Sequence, residues 1–239
     1  ICLLTSCMQQ LIPEFALTKR RHESMSRIFK NSIAVIGMCI ILFYVLVIVV
    51  SQFWLPFDPL DMDTINMLQP PSFETGHVLG TDEFGRDILS RIMKGAGISF
   101  LISISATALG GFIGTFMGIW SGFLGGAWDN WIMRLADILF SFPSLLLAIF
   151  VMAVLGEHTY NVIIAISIGY IPQFARIARG SILSIKNNEF IRASFASGAS
   201  RSHILIHNLL PNIIMPIIVQ SSLSLSVAIL LESALSFLG

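Results

Sequence analysis

The sequence predicts an all-α polytopic membrane protein, a bundle of transmembrane helices, and three observations lead to this fold class. Hydrophobic residues make up 55% of the 239 residues and charged residues only 12%, whereas soluble domains carry about 25% charged residues. Five apolar runs reach the roughly 20 residues that a helix needs to cross a bilayer. Lys and Arg collect in the polar stretches expected on the cytosolic side.

The first span is predicted to begin at Asn31, and the basic tail before it sets its orientation. The basic residues of the tail are Lys19, Arg20, Arg21, Arg27 and Lys30. The positive-inside rule places residues 1–30 in the cytosol as an N-terminal tail, which is too long and too basic near the span for a cleaved signal peptide. Residues 31–97 then comprise this first span and a polar, proline-rich outer segment.

Four further spans complete the predicted bundle. They are predicted at residues 98–123, 131–155, 160–182 and 209–239. Pro143 interrupts the third span, whereas Pro211 and Pro216 fall in the first turns of the last one, where a missing N–H costs least. Residues 98–239 form the transmembrane core domain. The chain begins with Ile and stops flush with its last span, so we expect that both ends are cut.

Four glycines of the second span form a regular series. Gly110, Gly114, Gly118 and Gly122 follow one another at four-residue intervals and therefore share one helix face. A face of small residues allows another helix to approach closely. The sequence leaves open whether that helix belongs to this bundle or to another subunit.

A glycine-containing stretch of the outer segment, "HVLGTDEFGRDILSR" at residues 77–91, has the spacing of a phosphate-binding loop without its chemistry. Asp82 and Glu83 would repel a phosphate. Arg86 and Asp87 stand where such a loop needs lysine and a hydroxyl residue. We therefore expect that this chain binds no nucleotide.

The polar stretch between the fourth and fifth spans predicts two short helices joined by a sharp turn. Asn188 is placed to cap the first helix, and Gly198 is placed to end it, because glycine tolerates the left-handed C-cap conformation. Ser200 is placed to cap the second helix, and Pro211 to open the last span. The basic residues of this stretch, residues 186–206, indicate a cytosolic location.

This stretch also has an apolar side, formed by Phe190, Ile191 and Phe195. Small residues at neighbouring positions leave room for another protein to close around it. Two capped helices with an apolar side are not required for a simple connecting loop, so this stretch is predicted to bind another protein. The alternative is an amphipathic connector that rests on lipid head groups.

The same stretch resembles the EAA loop of ABC-importer permeases, whose pattern is E-A-A, three residues, G, nine residues and I-x-L-P. The matching positions are Arg192, Ala193, Ser194, Gly198, Leu210 and Pro211. The departures are arginine for glutamate, serine for the second alanine, and Asn208 for the isoleucine. The resemblance implies that the matching residues couple the spans to an ATPase subunit.

Three further segments are similar to the dipeptide, oligopeptide and nickel branch of that family. They are "HVLGTDEFGRDILSRIMKGAGISF", "MRLADILFSFPSLLLAI" and the closing "ALSFLG". The resemblance covers about residues 30–239 and implies a type I ABC-importer transmembrane domain in the bacterial inner membrane, the C-type subunit of two homologous permeases. Family members continue through a sixth span, which we expect to be missing from this sequence.

The resemblance also implies partners. They are a second homologous permease, two cytosolic ATPase subunits that use ATP and magnesium, an extracytoplasmic binding protein and membrane lipid. We expect no cofactor, metal ion or nucleic acid on this chain itself. Asp82, Arg86, Asp87 and Arg91 are placed to pair among themselves as a scaffold near the membrane surface, and a direct role in docking the binding protein is the alternative.

Few ionisable residues lie inside the predicted spans. Arg134 and Asp137, three residues apart near the inner end of the third span, are predicted to neutralise each other as a structural pair, with a gating role as the alternative. Glu232, the acid of the last span, is a candidate residue of the translocation pathway. His203 and His207 are interpreted as interfacial histidines in preference to a metal-binding pair.

These observations predict a permease subunit of an ATP-driven importer that forms half of the translocation pathway for peptides. Nickel or another metal chelate is the alternative cargo within the same family. A self-sufficient secondary carrier is the alternative of a different class, although the spans carry no row of titratable groups and no inverted repeat. A membrane enzyme is disfavoured because neither H-E-x-x-H nor G-x-S-x-G occurs.

Overall fold

The computed structural model describes residues 31–156 and 158–238, which form helices, loops and one isolated bridge between Thr81 and Asp87. The helices are α1 (Ser32–Phe53), α2 (Ile88–Leu124), α3 (Gly126–Phe140), α4 (Ser144–Leu155), α5 (Thr159–Lys186), α6 (Glu189–Ala196), α7 (Arg201–His203) and α8 (Leu210–Leu238). A π-helical turn, Ile204–Leu209, joins α7 to α8. The predicted cytosolic tail, residues 1–30, lies outside the described residues.

The number of spans agrees with the prediction. Four continuous helical stretches are long and apolar enough to cross a membrane: Ser32–Phe53, Ile88–Leu124, Thr159–Lys186 and Arg201–Leu238. α3 and α4 form a fifth when they are counted as one broken span, bent by 87°. Length and composition therefore support an all-α bundle with five spans in the described part of the chain.

The bend between α3 and α4 lies where the sequence predicted an interruption. Pro143 directly precedes α4, with φ −55° and ψ 128°. A proline has no N–H for the helix ladder and keeps the residue before it out of the helical region. α3 therefore ends at Phe140, and α4 begins in a new direction at Ser144.

The chain divides into two compact units, the first ending at Gly97 and the second beginning at Ile98. In the first unit, the Asn31 side chain accepts a hydrogen bond from the Ile33 N–H at 3.1 Å. This bond caps α1, so the helix begins where the sequence predicted. Farther along α1, the Tyr44 hydroxyl donates to the Ala96 carbonyl oxygen at 3.1 Å.

Two glycines of the outer segment are required by close packing of the chain on itself. Gly80 and Gly85 have φ of +79° and +75°, a region that favours glycine. A Cβ added to Gly80 would collide with the Gln69 carbonyl oxygen, and one added to Gly85 would collide with the Asp63 carbonyl oxygen. The glycine spacing that resembles a phosphate-binding loop thus has a packing explanation.

The glycine series of α2 faces α5 inside the second unit. A Cβ added to Gly110 would lie 2.6 Å from the Ser167 carbonyl oxygen, and one added to Gly114 would lie 2.8 Å from the Phe174 Cβ. Both distances are shorter than Cβ contacts in folded proteins, so only glycine allows this approach. The partner that the sequence left open is therefore a helix of the same bundle.

Two hydrophobic clusters of the second unit lie along α5. The first surrounds Tyr170 and Phe174 and joins α5 to α2, α4 and α8. The second joins the end of α5 to α6 and to the π-helical turn. α5 is therefore the helix against which the other elements of this unit pack.

The predicted second short helix is continuous with the last span, which corrects the sequence analysis. α7, the π-helical turn and α8 form one helical stretch, Arg201–Leu238. In the π-helical turn the Leu210 N–H donates to the Leu205 carbonyl oxygen, five residues back. This wider turn comes directly before Pro211, whose ring clashes with the carbonyl four residues earlier in a regular α-helix. The helix widens at the proline instead of beginning there.

Candidate functional site

The stretch between α5 and α7 forms a short helix, α6, that ends at a glycine turn. Gly198 has φ +81°, and the Ala199 N–H donates to the Ser194 carbonyl oxygen at 3.1 Å. This is the bond of a Schellman cap, which satisfies a carbonyl group that the helix end would otherwise leave free. The predicted glycine stop is confirmed.

Ser200 caps the helical stretch that follows the turn, as predicted. Its side-chain oxygen accepts a hydrogen bond from the His203 N–H at 3.2 Å, and its backbone is extended. The His203 and His207 rings stack with their centroids 4.3 Å apart. Across residues 31–156 and 158–238, no group of three or more His, Cys, Asp or Glu side chains is placed to hold a metal ion.

A buried cluster, which we call the turn cluster, anchors α6 to the bundle. It consists of Ile182, Ile191, Ile204, Leu209 and Ile213. Ile191 is fully buried in it, whereas Phe190 is 47% exposed. Of the predicted apolar side, Ile191 is therefore buried against the bundle, whereas the Phe190 ring faces outward. The Phe195 side chain lies outside the described part of the structure.

Two departures from the EAA pattern contact each other. The Asn208 Nδ2 donates to the Ser194 Oγ at 2.9 Å, and the Ser194 Oγ donates to the Phe190 carbonyl oxygen at 2.9 Å. The alanine and isoleucine of the pattern could not form the bond between these two side chains. The bond ties α6 directly to the π-helical turn.

The predicted coupling residues differ in their exposure. Arg192, Ala193, Gly198 and Pro211 are exposed, whereas Ser194 and Leu210 are half-buried. The first four positions of the pattern lie on α6 and its glycine turn, and the last two lie at the start of α8. The structure thus presents an exposed surface on α6 that is connected through the turn cluster to the last span.

Asp137 pairs with Arg176 of α5 and not with Arg134, which corrects the predicted pair. The Arg176 Nη2 lies 2.7 Å from the Asp137 Oδ1, and the Arg176 guanidinium lies 4.1 Å from the Phe140 ring centroid. Arg134 is exposed and forms no ion pair within the described ranges. The Arg176 guanidinium of α5 is thus stabilised both by the Asp137 carboxylate and by a cation–π contact with Phe140.

A second ion pair joins the same two helices. Arg179 donates from Nε and Nη2 to the two carboxylate oxygens of Asp129, at 2.6 and 2.7 Å. Ser121 donates a further hydrogen bond to Asp129. Such bidentate pairs are the strong form of this interaction. We call the Arg176–Asp137 and Arg179–Asp129 pairs together the α3–α5 clasp.

The clasp was not predicted from the sequence, because its partners are 39 and 50 residues apart in the chain. The available signal was the arginine spacing. Arg176 and Arg179 are three residues apart on a predominantly apolar helix, so both face the same neighbour and require acidic partners there.

Polar side chains on the helices α5 and α8 include Glu232, Gln173 and Gln220. Glu232 of α8 is half-buried and forms no ion pair or hydrogen bond with the residues that the structure describes. Gln173 of α5 and Gln220 of α8, which the sequence analysis did not single out, lie 3.2 Å apart between Oε1 and Nε2. Their polar side chains within apolar runs were the signal that could have found them.

In the outer segment, Asp82 forms two of the predicted scaffold pairs. Its carboxylate lies 2.9 Å from the Arg86 Nε and also contacts Arg91. Burial alone would raise the pKa of Asp82, but hydrogen bonds from the Arg86 and Phe84 N–H groups and the Arg86 side chain lower it to about 2. The carboxylate is therefore charged at neutral pH.

Asp87 pairs with His77 instead of with an arginine, which corrects the predicted network. The His77 Nδ1 lies 3.0 Å from the Asp87 Oδ1. The other carboxylate oxygen accepts hydrogen bonds from the Ser90 N–H at 2.8 Å and the Ser90 Oγ at 2.7 Å. Burial acts to raise the pKa of Asp87, but these bonds outweigh it and hold the pKa below its ordinary value. Asp87 caps α2 and is buried there.

The described residues thus form helices long and apolar enough to cross a membrane, one pair of them bent at a break, and an exposed helical turn anchored to them. Residues 114–239 match the family model "Binding-protein-dependent transport system inner membrane component". Residues 20–71 match the N-terminal transmembrane domain of oligopeptide transport permease C. The chain belongs to the family of inner membrane components of binding-protein-dependent transport systems.

Similar curated proteins cover most of the chain. It is 39% identical to the dipeptide transport system permease protein DppC of Alkalihalophilus pseudofirmus, over 91% of this chain and 71% of that protein. It is 40% identical to the oligopeptide transport system permease protein OppC of Bacillus subtilis, over 91% of this chain and 70% of that protein. It is also 40% identical to the glutathione transport system permease protein GsiD of Escherichia coli O6:K15:H31, over 91% of this chain and 72% of that protein.

These comparisons confirm the predicted fold class, a type I ABC-importer transmembrane domain, and the predicted family, that of C-type ABC-importer permeases. The chain is a multi-pass inner membrane protein and a permease subunit for transport.

Proposed function

We propose that this chain forms half of a peptide translocation pathway in an ATP-driven importer. The observation that carries the proposal is the capped α6 turn. Its exposed side includes Arg192 and the small residue Ala193, and its buried side joins the turn cluster through Ile191. The relatives reported above are named for the transport of dipeptides, oligopeptides and glutathione, which supports a peptide cargo.

Coupling follows the contacts of the turn. Arg192, Ala193, Ser194 and Gly198 seat in a cytosolic ATPase subunit. When that subunit moves, Ile191 and the bond between Ser194 and Asn208 carry the displacement into the π-helical turn. This turn is continuous with α8, so Leu210, Pro211 and the rest of the span move with it as one lever.

Partner subunits supply the remaining parts. A second homologous permease forms the other half of the pathway, and two ATPase subunits bind ATP and magnesium. This chain itself binds no nucleotide, cofactor or metal. A binding protein delivers the peptide from outside. The N-terminus is cytosolic, as the positive-inside rule indicates for its basic residues.

Transport by a reconstituted complex tests this function. Liposomes would contain this chain, its partner permease and the ATPase subunits, together with the binding protein. We expect a tag on this chain to recover the ATPase subunits and labelled peptide uptake to require ATP. Nickel uptake without peptide uptake would favour the metal-chelate alternative. Peptide uptake that an ion gradient drives without ATPase subunits would favour a secondary carrier.

A further inference from the structure

Two glutamines face each other near the middle of the membrane-crossing helices. Gln173 lies near the middle of α5, and Gln220 lies ten residues into α8. The Gln220 Nε2 donates to the Gln173 Oε1 at 3.2 Å and to the Ser224 Oγ at 3.1 Å. Both glutamines are half-buried. Amide groups at this depth are costly unless they have partners.

The pair leaves one donor group and one acceptor unused. A glutamine amide carries two N–H donors and a carbonyl oxygen with two lone pairs. The Nε2 of Gln220 has two acceptors and the Oε1 of Gln173 has one donor. In the described structure, the Gln173 Nε2 and the Gln220 Oε1 hydrogen-bond to no other group. The pair therefore keeps one free amide donor group, on Gln173, and one free carbonyl acceptor, on Gln220.

A buried hydrogen bond holds the two helices at this level. The Tyr170 hydroxyl donates to the Ser224 carbonyl oxygen at 2.8 Å, and Tyr170 is 1% exposed. Tyr170 and Gln173 are three residues apart on α5, so they face the same neighbour. The glutamine pair therefore lies on two helices that a buried hydrogen bond holds together.

Gln173 also lines a cavity of about 230 Å³ at the break between α3 and α4. Its other walls include Phe140, Phe142, Pro143 and Ser144. Non-helical backbone at membrane depth is tolerated where protein buries it or where it lines a cavity, and broken helices are common at the substrate sites of transporters. The wall of this cavity combines apolar side chains with polar groups such as those of Ser144 and Gln173, and small-molecule sites also combine apolar side chains with a few polar groups.

We propose that Gln173 and Gln220 form a subsite that binds the backbone N–H and the backbone carbonyl group of one residue of a peptide as it passes. The Gln173 Nε2 donates to the peptide carbonyl oxygen, and the Gln220 Oε1 accepts from the peptide N–H. The cavity beside Gln173 holds the peptide side chain against Phe140, Phe142 and Pro143. Recognition of backbone groups accepts peptides of many sequences. This inference rests on the proposed function, because it assumes that the cargo is a peptide.

The first test compares a peptide with its ester analogue in the reconstituted complex, at saturating loaded binding protein. The ester lacks the N–H donor. We expect wild type to transport the peptide about three- to tenfold faster than the ester, as one hydrogen bond predicts. In Gln220→Leu this preference should fall to about one. A general folding defect would lower both rates equally and leave the preference intact, and that result would overturn the subsite.

A cysteine at the cavity provides a second test that does not depend on the glutamine variants. Ser144→Cys, in a cysteine-free background, should be labelled by a peptide with a thiol-reactive side chain during ATP-driven transport. Excess unlabelled peptide should prevent the labelling. Ser222→Cys, an exposed position of α8 that does not line the cavity, is the control. Equal labelling of both positions, or none at Ser144→Cys while transport proceeds, would exclude the cavity from the pathway.

The two proposals fail differently. Absence of peptide transport by the wild-type complex would contradict the proposed function. Normal peptide transport with an unchanged ester preference in Gln220→Leu would contradict the subsite alone. Gln173→Leu should lower transport of the peptide and of the ester by a similar factor of about five, because both retain the carbonyl oxygen that it binds.

Discussion

Gly198 shows how one residue can be constrained by its backbone and not by its neighbours. Its φ is +81°, yet a Cβ added there would meet no atom within 4 Å. Gly114 is the opposite case, because a Cβ there would lie 2.8 Å from the Phe174 Cβ. A side chain at Gly198 therefore costs conformational energy only, of about 1–3 kcal/mol, whereas one at Gly114 pushes two helices apart.

For Gly198→Val we predict that coupling to the ATPase subunit is lost while the amount of protein in the membrane is unchanged. Gly198→Val should disturb the Schellman cap and tilt or unwind α6, so that Arg192–Ser194 no longer seat in the ATPase subunit. Transport and substrate-stimulated ATP hydrolysis should fall together, while membrane abundance stays near normal. The measurement is the ATPase rate of the reconstituted complex with binding protein and peptide present.

The controls for this prediction use the same kinds of position. Gly180→Val introduces the same side chain at a helical glycine that also has open space around it and no positive φ. It should leave stimulated hydrolysis nearly unchanged. Gly198→Asn should be milder than Gly198→Val, because asparagine tolerates the left-handed conformation. Full stimulated hydrolysis and transport in Gly198→Val would instead favour a connector that rests on lipid head groups.

Among the elements, α5 packs against most of the other helices of the second unit. It faces the glycine series of α2, the clasp of α3, and the hydrophobic cluster shared with α4 and α8. Near its C-terminal end, α5 contributes Ile182 to the turn cluster, which also contains Ile191 of α6. A displacement of α6 therefore reaches α5 as well as α8, and α3 follows α5 through the clasp.

For the clasp we predict that Arg179 contributes to stability and Arg134 does not. Arg179→Met should leave the Asp129 carboxylate without its guanidinium and cost about 1 kcal/mol, a value discounted because the Arg179 side chain is 34% exposed. Arg134→Met is the matched control, since Arg134 is exposed and without an ion pair in the described residues. The measurement is the thermal midpoint of the purified complex in detergent.

A double-mutant cycle makes the clasp prediction specific to the pair. Asp129→Asn combined with Arg179→Met should destabilise the protein less than the sum of the two single changes. Additive effects, or equal losses in the Arg179 and Arg134 variants, would show that the pair does not link α3 to α5.

For the whole molecule, the distribution of Lys and Arg predicts which ends of the spans share a side of the membrane. Thr75→Cys and Ser200→Cys introduce exposed thiols in the outer segment and in the glycine turn, in a cysteine-free background. An impermeant maleimide should label Thr75→Cys in intact cells and Ser200→Cys only after permeabilisation. Labelling of Ser200→Cys from outside would reverse the topology and remove the turn from the reach of cytosolic ATPase subunits.

Local features of this protein follow from consecutive residues, and the sequence determined them. The all-α class, the five spans, the stop at Gly198 and the cap at Ser200 each depend on a few neighbouring residues. The break at Pro143 belongs to the same group, because proline affects its own position and the one before it. Such properties hold whatever the rest of the chain does.

Only the tertiary structure decided which helices meet. The partner of the glycine series is α5, the partner of Asp137 is Arg176, and the bond of Ser194 goes to Asn208 across the turn. In a soluble protein an apolar stripe marks the buried face of a helix. A membrane helix is apolar on all sides, since lipid is as apolar as a neighbouring helix. Its packing face therefore depends on small residues and on isolated polar groups, whose partners lie tens of residues away and become known only when the helices are assembled.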